Sequence, residues 1–306
     1  MPYVFVVDER NFKECIKYGL FGVPNTARAY SQILQVKQGD KLFVYIYGTK
    51  RFIGVYEASS DPFTEMSPEK GPWIGRRWDE RHGYYPHRIK FKIVKNYRSS
   101  VGVEEIEDLD IEINRNTFNG RSAVYITDYQ REKLEEFLDK RNPGGGVKSV
   151  VEEFSVNPTV IDPFSLRGGL EARLQILIQR NMDKIEEGLQ VVDTYYNLKS
   201  FLGYAGQIDI LARDIRTNFV VIEIKGDDAP PEVWSQLFGY SHAIRSTLAR
   251  KENVDVRSML ICKRLNLRTL YSYPEIKIII KKPNMLQLFK YYLRPDFSSI
   301  DFKEVE

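Results

Sequence analysis

The stretch "GQIDILARDIRTNFVVIEIKG", residues 206–226, places charged side chains inside two apolar, strand-like runs. Because side chains alternate between the two faces of a strand, Glu223 and Lys225 share one face and the isoleucines beside them take the other. Asp209 lies between two isoleucines of the preceding run, which a short turn can bring alongside the second run. The stretch therefore predicts two adjacent strands that bring two carboxylates and a lysine close together.

Carboxylate oxygens are the ligands that hard divalent cations prefer. The candidate ligands of Mg²⁺ or Mn²⁺ are Asp209, Glu223 and the backbone carbonyl of Ile224. A water molecule on such an ion becomes a nucleophile, and Lys225 is placed to orient or deprotonate that water and to offset charge on a phosphate. Acids and lysines on strands are also common as solvated surface residues, so a purely structural role for these side chains stays open.

The composition sets wide limits on function. The chain has 306 residues, of which 42% are hydrophobic, so it can bury one large core or two ordinary ones. Its 45 basic and 42 acidic residues give a net charge of +3, which neither requires nor excludes a polyanionic partner. Cys15 and Cys262 are distant in the sequence and outside any zinc-binding spacing, which argues against a disulfide framework or a zinc site and favours a reducing compartment.

The sequence gives no sign of targeting or of an ATP-driven activity. The start, "MPYVFVVDERNF", has no basic segment followed by a long apolar stretch, and no apolar run approaches the roughly 20 residues that cross a bilayer. We therefore expect a cytoplasmic protein without a membrane partner. A GxxxxGK(S/T) phosphate loop is absent, and His82, His87 and His242 form no metal-ligand spacing, which disfavours an ATP motor and a histidine-based nuclease.

A proline and three consecutive glycines in "KRNPGGGVKS", residues 140–149, predict a joint. The sequence before it contains β-branched and aromatic runs bounded by turns, namely "YVFVV", "KLFVYIYG", "RFIGVYEAS" and "HRIKFKIV", with a short helix around "NTARAYSQIL". The segment "TDYQREKLEEFLDKR" begins at a Thr127 cap and ends in basic residues, as a closing helix does. We expect a curved, barrel-like β domain over residues 1–140, a linker over 141–163 and a second domain over 164–306.

The second half alternates helices and strands. One amphipathic helix is predicted for "LEARLQILIQRNMDKIEEGL", residues 170–189, which ends near Gly188 and has an apolar face formed by Leu170, Leu174, Leu177 and Ile178. Three strands follow, then the proline-initiated helix "PPEVWSQLFGYSHAIRSTLARK", and then strands in "VRSMLICKRL" and "IKIIIKK". This order predicts a mixed sheet flanked by helices, and hence a two-domain α/β protein.

The two charged strands resemble the PD-(D/E)XK nuclease fold. The longer series "LEARLQILIQRNMDKIEEGL", "GQIDILARD", "VVIEIKG" and "QLFGY" resembles the NucS-type DNA endonucleases of archaea and bacteria over residues 164–282. The resemblance implies a restriction-endonuclease-like fold and metal-dependent catalysis by Asp209, Glu223 and Lys225. Many members carry a basic residue where Gln207 stands, which is a departure from their pattern.

The same resemblance implies further site residues on two helices. Glu171 would be an additional acid at the metal site, Gln236 would support catalysis, and Tyr240 would support the site and contact DNA. Each has an ordinary alternative, because the helix dipole favours an acid in the first turn, and residues four apart on a helix commonly pack together. The sequence leaves both interpretations open.

The segment "GVPNTARAYSQILQVKQGDKLFVYIYG", residues 22–48, resembles the EVE domains of the PUA-like group, which are related in fold to YTH domains, and the likeness extends over about residues 1–140. Those families hold a flipped, often modified, nucleobase in an aromatic pocket, where the base regains the stacking that it loses on leaving the helix. The resemblance implies Phe21, Trp73 and Trp78 as pocket walls and Asn25 as the reader of the base edge. Both tryptophans are equally compatible with a place in a core.

Basic and aromatic residues alternate in "RRWDERHGYYPHRIKFK", residues 76–92. Such a stretch can bind phosphates and stack on bases, and Arg76, Arg77 and Arg81 are the candidate DNA contacts. The alternative is an ordinary solvated loop that leads into a strand.

Together these features predict a Mg²⁺- or Mn²⁺-dependent DNA endonuclease whose N-terminal domain binds a modified base, as in a modification-dependent restriction enzyme. Two alternatives remain: a NucS-like repair nuclease acting on mismatched, branched or flapped DNA, and a non-catalytic nucleic-acid-binding protein. Because a chain with one site cuts both strands most readily as two copies, we also expect a homodimer.

Overall fold

The computed structural model describes residues 1–65, 85–107, 113, 115–145, 156, 158–198, 206–266, 268–269, 285–293 and 299–305. The chain divides into two units, Met1–Arg167 and Gly168–Glu306. The predicted two-domain α/β class is confirmed. The domain limits placed at residues 140 and 163 stay predictions. Within the described ranges, no helix combines the length and the apolar character needed to cross a membrane.

The N-terminal unit is built on one curled, mostly antiparallel sheet with the strand order β2-β6-β4-β3-β1-β8, to which β5 and β7 add at β6 and β4. Among the strands that the structure describes in this unit, β1 and β3 form the one parallel pair. Its strands are β1 Pro2–Val7, β2 Leu20–Val23, β3 Lys41–Ile46, β4 Arg51–Ala58, β5 Phe63–Thr64, β6 His87–Lys95, β7 Val101–Gly102 and β8 Ala123–Tyr125. Its helices are α1 Glu9–Tyr18, α2 Ala27–Ile33, α3 Val103–Glu107 and α4 Asp128–Arg141.

The predicted cap of α4 is present, and it explains where this helix begins. The Thr127 hydroxyl accepts a hydrogen bond from the backbone N–H of Gln130, and the Gln130 side chain accepts one from the backbone N–H of Thr127. This reciprocal pair satisfies two donors that a helix start otherwise leaves unpaired. Sequence reasoning missed α1 and β2, although Asp8 caps α1 by the same type of side-chain contact.

Buried polar pairs join β5 to β6. The Thr64 hydroxyl lies 2.9 Å from Nδ1 of His87, and burial lowers the pKa of His87 to about 3, so its ring is neutral. In the next pair Nη1 of Arg88 lies 2.6 Å from Oε2 of Glu65, with side-chain exposures of 0% and 3%. These two pairs therefore hold the end of β5 against the start of β6.

Residues 158–167 lie against two separate parts of the N-terminal unit, and we call them the belt. The N–H of Thr159 donates to the carbonyl of Thr64, 2.6 Å away. At its other end, the carbonyl of Arg167 accepts from the N–H of Ala27, 2.8 Å away, at the first residue of α2. The belt therefore supplies backbone partners to the start of α2 and to the end of β5.

The C-terminal unit contains a mixed sheet with the order β14-β13-β12-β11-β10-β9. The pairs β11–β12 and β12–β13 are parallel, and the others are antiparallel. The strands are β9 Gln190–Asn197, β10 Gln207–Arg213, β11 Phe219–Ala229, β12 Val256–Leu265, β13 Leu286–Leu293 and β14 Ile300–Glu304. The helices of this unit include α5 Leu170–Gln179, α6 Met182–Ile185 and α7 Val233–Ile244.

Asp214 forms the turn that returns β11 alongside β10. Its Oδ1 accepts from the backbone N–H groups of Arg216 and Asn218, at 2.9 and 3.0 Å. The turn also needs a left-handed residue, Thr217, with φ of 66°. Because the Asp214 carboxylate binds the backbone of the turn and forms an ion pair with Arg257, its role is structural.

The structure differs from the sequence prediction in the first helix of this unit. The helix predicted over residues 170–189 is interrupted, because the Asn181 side chain donates to the carbonyl of Leu177, 2.8 Å away, and α6 begins only at Met182. Leu170, assigned to the apolar face, is 50% exposed. The strand predicted at residues 276–282 lies outside the described residues, and β13 and β14 had no prediction.

Candidate active site

The register of β10 and β11 brings the predicted acids together. The two strands pair antiparallel with Ile210 opposite Ile222, so the next position places Asp209 opposite Glu223 on one face of the sheet. Lys225 lies two residues further along the same face of β11. The arrangement expected from residues 206–226 is the one that the structure shows.

Hydrogen bonds fix these side chains in the unit. Oδ2 of Asp209 accepts from the backbone N–H of Ile224 at 2.8 Å, and the Asp209 carbonyl accepts from the Gln175 side chain at 2.8 Å. Oε1 of Glu223 accepts from Nζ of Lys225 at 2.6 Å. The other oxygen of Glu223, Oε2, is buried and has no hydrogen-bond partner among the described residues. A buried carboxylate oxygen without a partner is costly, and it marks a place where a cation would be stabilising.

Glu171 approaches the same cluster from the first turn of α5. Its Oε1 accepts from the backbone N–H of Gly226 at 3.2 Å. A Cβ atom on Gly226 would lie 3.1 Å from Cγ of Glu171, so a glycine lets the helix and β11 approach this closely. The structure thus brings Glu171 to the acids of the sheet, while a helix-dipole role for its carboxylate remains compatible with its position.

Burial makes it unfavourable for Asp209 and Glu223 to carry negative charges at the same time. Burial raises the pKa of Asp209 to about 8, with a further contribution from the Glu223 carboxylate. Burial also raises the pKa of Glu223, although Lys225 opposes this. Burial disfavours the charged form of Lys225, but the Glu223 carboxylate and its neighbours outweigh that effect and raise the pKa of the lysine. Lys225 is therefore a cation at neutral pH.

The pKa of Asp209 predicts an unusual pH dependence of stability in the metal-free protein. The folded chain keeps the Asp209 proton up to about pH 8, whereas the unfolded chain releases it near the ordinary value of 3.8. The folded state holds more protons between those values, so the stability that this group contributes falls as the pH rises through that window. Asp209→Asn should therefore unfold at a higher temperature than wild type at about pH 9, and this gain should vanish near about pH 4. Scanning calorimetry with a chelator measures it, and a difference that does not change with pH would contradict the assignment.

Gln236 and Tyr240 lie on α7 and contact one another. Nε2 of Gln236 donates to the Tyr240 hydroxyl at 2.7 Å, and Tyr240 is buried. A Cβ atom on Gly206, just before β10, would lie only 2.4 Å from the Tyr240 ring. The Gln207 side chain donates to the carbonyl of Tyr195 at 2.8 Å. The pair therefore supports the start of the strand that carries Asp209, and a contact between Tyr240 and DNA stays a prediction.

The proposed aromatic wall at Phe21 requires a correction. Phe21 is 1% exposed, and its ring stacks between Phe5 and Phe91, with centroid distances of 4.5 and 4.2 Å. Both faces of the ring are covered, so no base can stack on it. Phe21 is a core residue of the curled sheet.

Asn25 lies beside the polar pairs of β6. Its Oδ1 is 3.2 Å from Nε2 of His87, and the His87 ring packs at 4.4 Å from the ring of Tyr30. If the Thr64 hydroxyl donates to Nδ1, then Nε2 carries the proton and donates to Asn25, which leaves the amide NH₂ of Asn25 to meet an acceptor. The other predicted contacts, Trp73, Trp78, Arg76, Arg77 and Arg81, lie outside the described residues.

The N-terminal unit contains a cavity of about 370 Å³ that sequence reasoning missed. Polar side chains from separate segments reach it, among them Asp8, Asn11, Tyr85 and Arg121. Asn11 is held by Asp8, whose Oδ1 accepts from the Asn11 backbone at 2.9 Å. The remaining lining comes from Val6, Val7, Cys15, Gly22, Pro24, Tyr47, Phe118, Gly120 and Ser122. In the sequence, the one residue that could have indicated this cavity is Asp8, and its position is that of an ordinary helix cap.

The acid and lysine cluster, its glycine and the two residues on α7 all belong to one part of the chain. Residues 170–275 match the endonuclease NucS C-terminal domain family. The resemblance to NucS-type nucleases predicted from the sequence is thereby confirmed. Residues 1–119 match the development and cell death domain, which confirms the resemblance of the N-terminal unit to the EVE and YTH-like group. Each match covers less than half of the chain.

Solved structures similar to this chain include nucleic-acid complexes. An EndoMS–double-stranded DNA complex is 23% identical over 43% of this chain and 46% of that chain, with a TM-score of 0.29. The YTH domain-containing protein mmi1 with RNA is 11% identical over 46% and 82%, with a TM-score of 0.33. A repair endonuclease from Pyrococcus abyssi is 16% identical over 78% and 76%, with a TM-score of 0.29. The chain spans less than half of the length of the EndoMS chain, and no curated protein matches it.

Proposed function

We propose that the chain is a metal-dependent DNA endonuclease that hydrolyses phosphodiester bonds at Asp209, Glu223 and Lys225, supported by Glu171 and Gln236. The observation that carries the proposal is the Glu223 carboxylate, which is buried beside Asp209 and Lys225 with Oε2 unpartnered among the described residues. This cluster falls within the residues that match the NucS C-terminal domain. A buried acid beside a half-buried acid and a half-buried lysine would destabilise the sheet unless the three groups had a chemical task.

The donor set fits a hard divalent cation, although no group of His, Cys, Asp or Glu side chains in the described part of the chain already lies in metal-binding geometry. Asp209, Glu223 and the carbonyl of Ile224 are the proposed ligands of Mg²⁺ or Mn²⁺. When bound, such an ion neutralises phosphate charge and activates water.

The raised pKa of Lys225 narrows its role. A lysine that carries its proton can orient the water and offset charge on the phosphate, which are two of the three roles predicted for it, whereas deprotonating the water requires that it first lose that proton. Its cationic ammonium group would contact the phosphate oxygens as charge develops on them. Gln236 and Tyr240 would keep β10, and with it Asp209, in place.

We further propose that the N-terminal unit binds a flipped modified base, which would make the chain a modification-dependent restriction enzyme acting in the cytoplasm. The cavity of about 370 Å³ supports this, because it is of the size that small ligands occupy and combines apolar walls with a few polar groups. A base there would meet the hydrogen-bonding groups of Asp8, Asn11 and Arg121. Trp73 and Trp78 remain proposed walls, and Arg76, Arg77 and Arg81 proposed phosphate contacts.

The test is cleavage, in Mg²⁺, of matched duplexes with and without modified cytosine or adenine. We expect preferential cutting of one modified duplex. Equal cutting of all duplexes would refute the reader half of the proposal and leave the nuclease half standing. No cutting of any duplex would count against the nuclease itself.

Filling the cavity should separate the two halves. Ser122 lines the cavity, so Ser122→Phe places a ring where the base would bind. We expect this variant to cut modified and unmodified duplexes at rates within about twofold of each other. The matched control is Ser59→Phe, on an exposed residue of the same unit that does not line the cavity. A Ser122→Phe variant that keeps the wild-type preference would exclude this cavity as the base site.

A repair nuclease is the second candidate, because the C-terminal match is to NucS itself. It predicts faster cutting of mismatched, branched or flapped DNA than of any modified duplex. A non-catalytic binder predicts neither cutting nor Mn²⁺ binding. Cutting of both strands would follow most simply from a homodimer, which sedimentation of the protein with DNA can establish.

A further inference from the structure

Gly226 directly follows Lys225, at an irregularity of the sheet. The pairing of β11 with β12 is regular up to Lys225 and resumes in a shifted register at Asp228. The peptide groups of Gly226 therefore leave the regular ladder, and their hydrogen bonds must come from elsewhere.

Two side chains from different elements supply those bonds. The N–H of Gly226 donates to Oε1 of Glu171 on α5 at 3.2 Å. The carbonyl of Gly226 accepts from the hydroxyl of Tyr291 at 2.7 Å, and this bond is buried. Tyr291 belongs to β13, which pairs with β12 and not with β11. The phenol thus reaches across β12 to hold the peptide group between Gly226 and Asp227.

The Tyr291 hydroxyl is a permanent donor in this place. Tyr291 is 3% exposed, and burial, together with Asp227 and Cys262, raises its pKa to about 12. Gly226 has no side chain that could hold the peptide, and a Cβ atom would press on Glu171. The two peptide groups that flank Gly226 therefore each depend on one of these hydrogen bonds: Lys225–Gly226 on the bond to Glu171, and Gly226–Asp227 on the bond from Tyr291.

We propose that Tyr291 is a positioning residue of the active site, which fixes the Gly226–Asp227 peptide group and, through the backbone torsions of Gly226, the N–H that meets Glu171 and the backbone of Lys225. The inference rests on the proposed function and names a residue that no sequence pattern indicated. Without the hydroxyl, the Gly226–Asp227 peptide group loses its buried donor, and Gly226 has no side chain to restrict the rotation that follows. The neighbouring N–H then aligns less well with Glu171, and Lys225 is held less closely beside Glu223. The hydroxyl itself does not contact the phosphate or a bound ion.

Tyr291→Phe tests this, because it removes one oxygen and keeps the ring. Its neighbour supplies the control: Tyr292 is 54% exposed on the opposite face of the same strand, so Tyr292→Phe removes the same group from an exposed side chain of β13. We expect Tyr291→Phe to lower kcat by about 10- to 100-fold, since small misplacements of reacting groups have effects of this size. KM for DNA should stay within about twofold of wild type, and Tyr292→Phe should match wild type in both.

Two readouts do not need catalysis. Calorimetric titration should show that Tyr291→Phe binds Mn²⁺ at least about fivefold more weakly than Tyr292→Phe does. In the metal-free chain, NMR should show faster exchange of the Gly226 amide proton in Tyr291→Phe alone, with other β11 amides unchanged. A general rise in exchange across the unit, or a parallel loss of kcat and DNA affinity, would indicate a merely structural role and overturn the proposal.

The outcomes also separate this inference from the proposed function. If wild type binds Mn²⁺ but cuts no DNA, the nuclease proposal fails, and the Mn²⁺ and exchange differences still decide the role of Tyr291. If wild type cuts and Tyr291→Phe equals it in kcat and Mn²⁺ affinity, Tyr291 is not a positioning residue. If wild type neither cuts nor binds Mn²⁺, both proposals fall.

Discussion

Glu223→Gln should reduce DNA cleavage by at least about 10³-fold while leaving DNA affinity within about twofold of wild type. The amide keeps the shape of the side chain, and its oxygen can still accept from Lys225 at the position of Oε1. It cannot supply the negative charge that a divalent cation needs at the buried Oε2 position. Single-turnover cleavage and fluorescence anisotropy with labelled duplexes measure the two quantities.

The control for this variant is Glu187→Gln, because Glu187 is an exposed glutamate of the same unit. It changes the net charge by the same amount and should cut at the wild-type rate. If Glu223→Gln still cuts at a rate near that of Glu187→Gln, Glu223 is not catalytic, and the cluster has to be interpreted as a structural ion pair.

Arg88→Met should lower the free energy of unfolding of the N-terminal unit by about 3–5 kcal/mol, because breaking a buried ion pair leaves an uncompensated charge. Arg88 and Glu65 are almost fully buried, and the guanidinium also donates to the carbonyl of Tyr85 at 3.0 Å. Methionine fills much of the space but removes the guanidinium that lies 2.6 Å from Oε2 of Glu65. Urea unfolding followed by circular dichroism, with amide exchange of β6 to identify the unit, measures the loss.

A double variant tests the physical reason. Glu65→Met combined with Arg88→Met removes both charges, so we expect it to recover most of the lost stability. If the double variant is as unstable as Arg88→Met, the loss comes from packing or from the Tyr85 contact. If Arg88→Met alone matches wild type, the buried pair contributes nothing.

The active-site cluster could be predicted from the sequence because its causes are local. Alternation along a strand fixes the common face of Glu223 and Lys225, and a short turn around Asp214 fixes the neighbour that carries Asp209. Glu171 was assigned to the site only by the family resemblance, because its position beside the acids depends on the contact between α5 and β11. The fold class followed from the order of the apolar runs.

The misses depend on contacts between residues far apart in the chain. Phe21 was predicted as a pocket wall, and the rings of Phe5 and Phe91 on its two faces assign it to the core instead. The cavity is lined by several separate segments, and Tyr291 meets Gly226 across an intervening strand. The hydrophobic periodicity of one segment does not indicate which distant segments it will contact.

The belt over residues 158–167 has a consequence for separating the two units. The N–H of Thr159 donates to the carbonyl of Thr64, and the carbonyl of Arg167 accepts from the N–H of Ala27. A fragment that stopped at residue 140 would lose both hydrogen bonds. A fragment of residues 1–167 keeps both partners and is the one to express alone or to graft onto another nuclease.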